Sequence, residues 1–101
     1  MSSNGQPPVS LPSAETIVKA AKLSLKVAKP LDFYFYEDSC RDGVCILRDG
    51  DEQIIYKNDE ERTSPIVKCY KSETVLIVLT ENSIYIVNAE TPVRDVNDTD
   101  A

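Results

Sequence analysis

Apolar residues recur along this chain in two rhythms, and the change falls at Pro30. The run SAETIVKAAKLSLKVAK has the helical period, with Ser13 as a good N-cap, Glu15 adding negative charge in the first turn and Pro30 as the stop. On a wheel of about 100° per residue, Lys19, Lys22, Lys26 and Lys29 share an arc of roughly 80°. Ile17, Val18, Ala21, Leu25 and Ala28 lie opposite, flanked by Ala20, Leu23 and Val27. So wide an apolar arc predicts a helix packed on a sheet. Leu23, Leu25 and Val27 also alternate as a strand would, but the alanines, the cap and the lysine spacing favour helix.

Beyond Pro30 the period becomes 2. LDFYFYED sets Leu31, Phe33 and Phe35 on one face and Asp32, Tyr34 and Tyr36 on the other, which predicts a half-buried strand. DSCRDG turns the chain, GVCILR and EQIIYK are strands, and Asp49-Gly50 centres a hairpin between them. After the polar run NDEERTS come IVKCYK, TVLIVLT and SIYIVNA, the last two apolar on both faces and therefore the most buried. Short connections exclude parallel crossovers between neighbours. The expected fold is α+β: one N-terminal helix packed on a curved antiparallel sheet or small open barrel of about six short strands in meander order. Residues 1–12 read as a flexible tail, 13–89 as the single domain and 90–101 as an acidic flexible tail.

Charge divides along the same boundaries. The chain has 101 residues, 11 Lys+Arg against 17 Asp+Glu, and a net charge of −6. Residues 13–29 hold four lysines and one glutamate, a local +3; residues 1–12 are uncharged, so everything from Pro30 onward carries −9. An acidic body repels nucleic-acid backbones and anionic membranes, so neither is an expected partner. There is no export signal in MSSNGQPPVSLP, and no run reaches the roughly 20 apolar residues of a membrane span. With three cysteines, an odd number, this points to an intracellular protein of cytoplasm or nucleus with free thiols, although Cys40 and Cys45 are close enough in sequence to pair.

The chemical motifs are weak. DSCRDGVCILRD offers Asp38, Asp42, Gly43 and Asp49 in the spacing of a calcium loop, but Cys40 replaces an oxygen ligand and strands replace the flanking helices. Cys40, Cys45 and Cys69 lack the fourth ligand that structural zinc requires, and the chain has no His. The carboxylate clusters Asp49, Asp51, Glu52 and Asp59, Glu60, Glu61 sit in turns, without the apolar surroundings that raise a catalytic pKa. No catalytic residue, metal or cofactor is assigned, and the chain reads as a non-enzymatic structural or protein-interaction module. Its contact residues are Lys19, Lys22, Lys26 and Lys29 on the helix, Tyr34 and Tyr36 on the first strand, and Lys68 and Lys71 on an edge strand. The partner is an acidic protein or a second copy, which also covers the exposed edge expected of SIYIVNA. The alternative is a small ligand-binding or regulatory domain with a pocket between helix and sheet lined by Phe33, Phe35 and Tyr56.

Across residues 63–90, TSPI, KCYK and TENSIYIV resemble the C-terminal half of small β-rich proteins encoded by large double-stranded DNA viruses, with a fainter likeness over KAAKLSL and FYFY. The resemblance implies a virion or virus-encoded accessory protein and assigns no functional residue.

Overall fold

The computed structural model describes residues 11–96; most of the expected N-terminal tail and residues 97–101 lie outside the described residues. Helix α1 spans Ala14–Val27. The Ser13 hydroxyl accepts the Thr16 N–H at 3.1 Å, satisfying one of the unpaired donors of the first turn. At the other end Ala28 adopts a left-handed conformation (φ 57°, ψ 44°), and the N–H groups of Ala28 and Lys29 both donate to the Ser24 carbonyl.

After α1 the chain forms β1 (Leu31–Asp32), the one-turn helix α2 (Tyr36–Ser39), β2 (Cys45–Asp49), β3 (Glu52–Asn58) and β4 (Glu61–Arg62). Strands β5 (Ile66–Ser72), β6 (Val75–Thr80), β7 (Ile84–Asn88) and β8 (Val93–Asp95) follow. The fold is α+β, but the expected single six-stranded meander is replaced by two open four-stranded sheets, ordered β1-β7-β6-β5 and β4-β3-β2-β8. Neighbouring strands joined by short turns are antiparallel, as chain geometry requires. The chain ends return from a distance and pair parallel, β1 on β7 and β8 on β2. That long-range return is invisible to local periodicity and makes both sheets mixed. Strand β8 also carries the ordered structure past the Ala89 boundary, with the Ile46 N–H donating to the Pro92 carbonyl at 2.8 Å.

The two all-apolar strands explain the layering. Val75, Ile77, Leu79, Ile84 and Ile86 form one cluster with Ala20, Leu23 and Val27 of α1. The alternate residues Val78 and Val87, with Leu76 and Tyr85, form a second cluster with Phe35, Val44 and Ile55. The first sheet is therefore the middle layer between α1 and the second sheet, and both of its faces are covered from within the chain. Strand β7 lies inside its sheet: β1 pairs with Ile84 and Tyr85, and the Ser39 hydroxyl of α2 accepts the Asn88 N–H at 2.9 Å, so the edge expected at SIYIVNA is met from within the chain; among the described strands, β1 and β5 are the edges of this sheet.

The helix is seated more than a quarter-turn round from the position its apolar arc predicts. Thr16 and Ala20 are buried and Leu23 and Val27 half-buried, whereas Val18 is 51% and Leu25 83% exposed. The reason is a buried polar pair: Thr16 Oγ1 and Ser72 Oγ share a hydrogen bond at 3.0 Å, and fully buried Ala20 lets the backbone approach the sheet. The lysines consequently flank the buried face instead of opposing it.

The segment FYFYED is not a strand. The Asp32 carboxylate accepts the Tyr34 N–H at 2.8 Å, an Asx-type turn that ends β1 after two residues, and the Tyr36 N–H donates to the Phe33 carbonyl. Adjacent Phe35 and Tyr36 are both buried, while Phe33 and Tyr34 are exposed, a pairing that period 2 forbids. The expected hairpin forms one residue later, with Asp49 opposite Glu52 and Gly50-Asp51 as the loop; Gly50 has φ +64°. A glycine first in a two-residue loop suits the primed turns that match strand twist.

Candidate interaction groove

Because α1 is seated in this way, Lys19, Lys22 and Lys26 overhang the end of the first sheet. With Leu23 they form one wall of a groove of about 420 Å³; Tyr70, Lys71 and Ser72 of β5 form the other, and Ile77 of β6 floors it. The volume falls within the range of roughly 300–1,000 Å³ typical of ligand sites. Tyr70 lies opposite Ile77 and Ser72 opposite Val75, which puts both on the α1 face; Lys71, opposite Leu76, is on the other face and borders the groove at the strand's edge. Lys68 shares the α1 face, and its ammonium lies 5.2 Å from the centre of the Tyr70 ring, within cation–π range.

Among the described residues, no carboxylate lines the groove. Lys19 makes an exposed contact to Glu15 at 3.7 Å, a pair of little energetic weight. Among the described residues, Lys22, Lys26, Lys68 and Lys71 form no ion pair. Several cations thus surround an apolar floor in a protein that is otherwise strongly acidic.

Of the eight contact residues expected from sequence, Lys19, Lys22, Lys26 and Lys71 meet at this groove and Lys68 adjoins it. The other three lie elsewhere. The Lys29 ammonium donates to the Thr80 carbonyl at 3.1 Å and anchors the helix end to the sheet. Tyr36 is 8% exposed in the core, its hydroxyl pushed up to about 12 by desolvation and then by a hydrogen bond with Cys40. Tyr34 is exposed and donates to Glu61 at 2.6 Å. Leu23, Tyr70, Ser72 and Ile77 were not expected at the site; the alternation of Lys68 with Tyr70 was a readable signal for Tyr70, whereas the other three depend on the seat of the helix. The residues expected to line a pocket do not gather: Phe35 is in the core between the sheets, Phe33 is exposed, and Tyr56 borders a different cleft near Cys45 and Arg94.

No protein family model matches the chain, and no curated protein or solved structure does. The site is therefore read from its own chemistry.

A second charged cluster joins the segment around α2 to the second sheet. Lys57 bridges Asp38 at 2.9 Å and Glu61 at 3.4 Å, and Glu61 also accepts from Tyr34 and from Asn58. The Tyr34 hydroxyl, followed by Asn58, holds the Glu61 carboxyl below its ordinary value, while the same bond to Glu61 pushes the Tyr34 hydroxyl up. Each group of this cluster is satisfied by another, so it acts as a clamp between α2 and the second sheet. Among the described residues, no three of His, Cys, Asp and Glu gather as a metal site, and no helix is long and apolar enough to cross a membrane. The three cysteines are free thiols. Partial desolvation pushes the Cys45 thiol and the exposed Cys69 thiol up, away from the thiolate form that reacts or binds metal.

Proposed function

We propose that this protein is a non-enzymatic interaction module that docks an acidic polypeptide segment in the groove between α1 and β5. The observation that carries the reading is the convergence of Lys19, Lys22 and Lys26 with Lys71 around Leu23, Tyr70 and Ile77, with no carboxylate in the lining among the described residues. An acidic segment gains there what the lysines lack, opposite charge close to an apolar floor. The acidic remainder of the chain disfavours a long polyanion, which would have to run on across repelling surface. A role as a virus-encoded or virion accessory protein rests on the resemblance over residues 63–90, which takes in β5 and holds no catalytic signature.

A labelled peptide alternating Glu with Thr and carrying one Leu, followed by fluorescence anisotropy, tests the reading. Binding should weaken about tenfold or more in the variant combining Lys22→Glu and Lys26→Glu, and should fall with salt, while Arg62→Glu outside the groove leaves it unchanged. Equal affinity for all three proteins, or tighter binding of a single-stranded oligonucleotide of equal charge, would contradict it.

A further inference from the structure

We propose that the groove receives its acidic occupant as an added strand: an extended segment of a partner protein, hydrogen-bonded along the open edge of β5 with its carboxylates under the α1 lysines. This deepens the docking role proposed above and rests on it.

Tyr70, Lys71 and Ser72 are consecutive, and all three border the groove. Consecutive strand residues point to opposite faces, so what they present in common is the backbone edge. That edge is open, since β5 ends its sheet and pairs with β6 alone among the described strands. It is also long and apolar for an edge: Val67 is 59% and Tyr70 36% exposed, and Cys69 is exposed as well. An unpaired strand of this kind is a template for another strand, and an adjoining helix supplies contacts to alternate side chains.

Charge decides which strand fits. A second β5 would bring its own Lys68 and Lys71 against the same lysines, so edge-to-edge pairing of two copies is repulsive. Among the described residues, the chain's exposed acidic groups at Asp51 and Asp59 occupy tight turns and are not free to lie extended. An acidic strand from another protein meets neither obstacle. Spacing narrows it further. Lys19 and Lys26 are about 10 Å apart along the helix axis, and residues four apart in a strand are about 13 Å apart, a difference the flexible lysine stems cover. The fitting pattern is acidic, any, apolar, any, acidic, with all three specified side chains facing α1 and the apolar one over Leu23, Tyr70 and Ile77.

The test uses the full chain and the peptide Thr-Glu-Thr-Leu-Thr-Glu-Thr, acetylated and amidated, against an analogue in which the two threonines beside Leu are Pro and the Leu nitrogen is methylated. The analogue keeps the charge and an extended backbone but lacks the central donors on both edges of the strand, so no register restores the ladder. The parent peptide should slow amide exchange along residues 66–72 and bind about tenfold or more tightly than the analogue. Equal binding of both peptides overturns strand addition and leaves acidic docking standing. If neither binds at low salt up to about 1 mM, both readings fail. If residues 66–72 are already protected in the free protein and protection rises with its concentration, the occupant is a second copy and the proposal is wrong.

Discussion

Replacing Thr16 by Val isolates the contact that seats α1. Thr16 is 1% and Ser72 5% exposed, their hydroxyls are 3.0 Å apart, and Thr16 Oγ1 also accepts from Ser13 at 3.1 Å. Valine preserves shape and exchanges the hydroxyl for a methyl, so little packing is lost. What remains is a buried Ser72 hydroxyl without its partner, which costs about 1–3 kcal/mol. The N-cap survives, because Ser13 accepts from the backbone N–H of residue 16. A loss of this size lowers the melting temperature by about 4–8 °C per kcal/mol in a domain of this length. Ser72→Ala should cost less, since Thr16 keeps Ser13, and in the Thr16→Val background it should cost nothing more or restore stability. The measurement is a double-mutant cycle by urea unfolding, with an expected coupling of about 1 kcal/mol or more. If Thr16→Val is neutral, or if the two losses simply add, the hydroxyl pair does not seat the helix and the account of its rotation fails.

Ala28 holds a left-handed conformation that an L-residue with a β-carbon adopts at a cost. Ala28→Gly should raise stability by about 0.5–1 kcal/mol in urea unfolding. Glu61 is held below its ordinary 4.5, so its contribution is complete above that value and is lost as pH falls through the folded one. Tyr34→Phe removes the largest cause and should flatten the acid limb of a pH series of urea midpoints. Tyr36 is raised from 10.0 to about 12, so its contribution is complete below pH 10.0 and is lost as pH rises through the folded value. Tyr36→Phe should remove that part of the alkaline transition followed by tyrosinate absorbance.

Local signals in the sequence specified the parts whose causes are local. The Ser13 cap, the period of α1, the alternation of β5 and the turn at Gly50 all follow from neighbours within a few residues. The two-faced apolar runs of β6 and β7 announced a buried sheet, but not that a second sheet of the same chain would cover its far face. The FYFY alternation misled because Asp32 competes for the backbone and converts the strand into a turn, burying Phe35 and Tyr36 together. The lysine cluster was legible as a charge feature; its place was not, because a wheel assumes that the most apolar side is buried. The Thr16–Ser72 pair, 56 residues apart in sequence, decided otherwise. Lys29 shared the arc yet is drawn away by the Thr80 carbonyl.

The most direct measurement is amide chemical-shift mapping of the full chain titrated with the acidic Thr-Glu-Thr-Leu-Thr-Glu-Thr peptide. The account predicts saturable shifts confined to residues 19–26 and 66–72 and to Ile77, abolished by combining Lys22→Glu with Lys26→Glu. Shifts centred on Asp38, Lys57 and Glu61, or none at all, would contradict it.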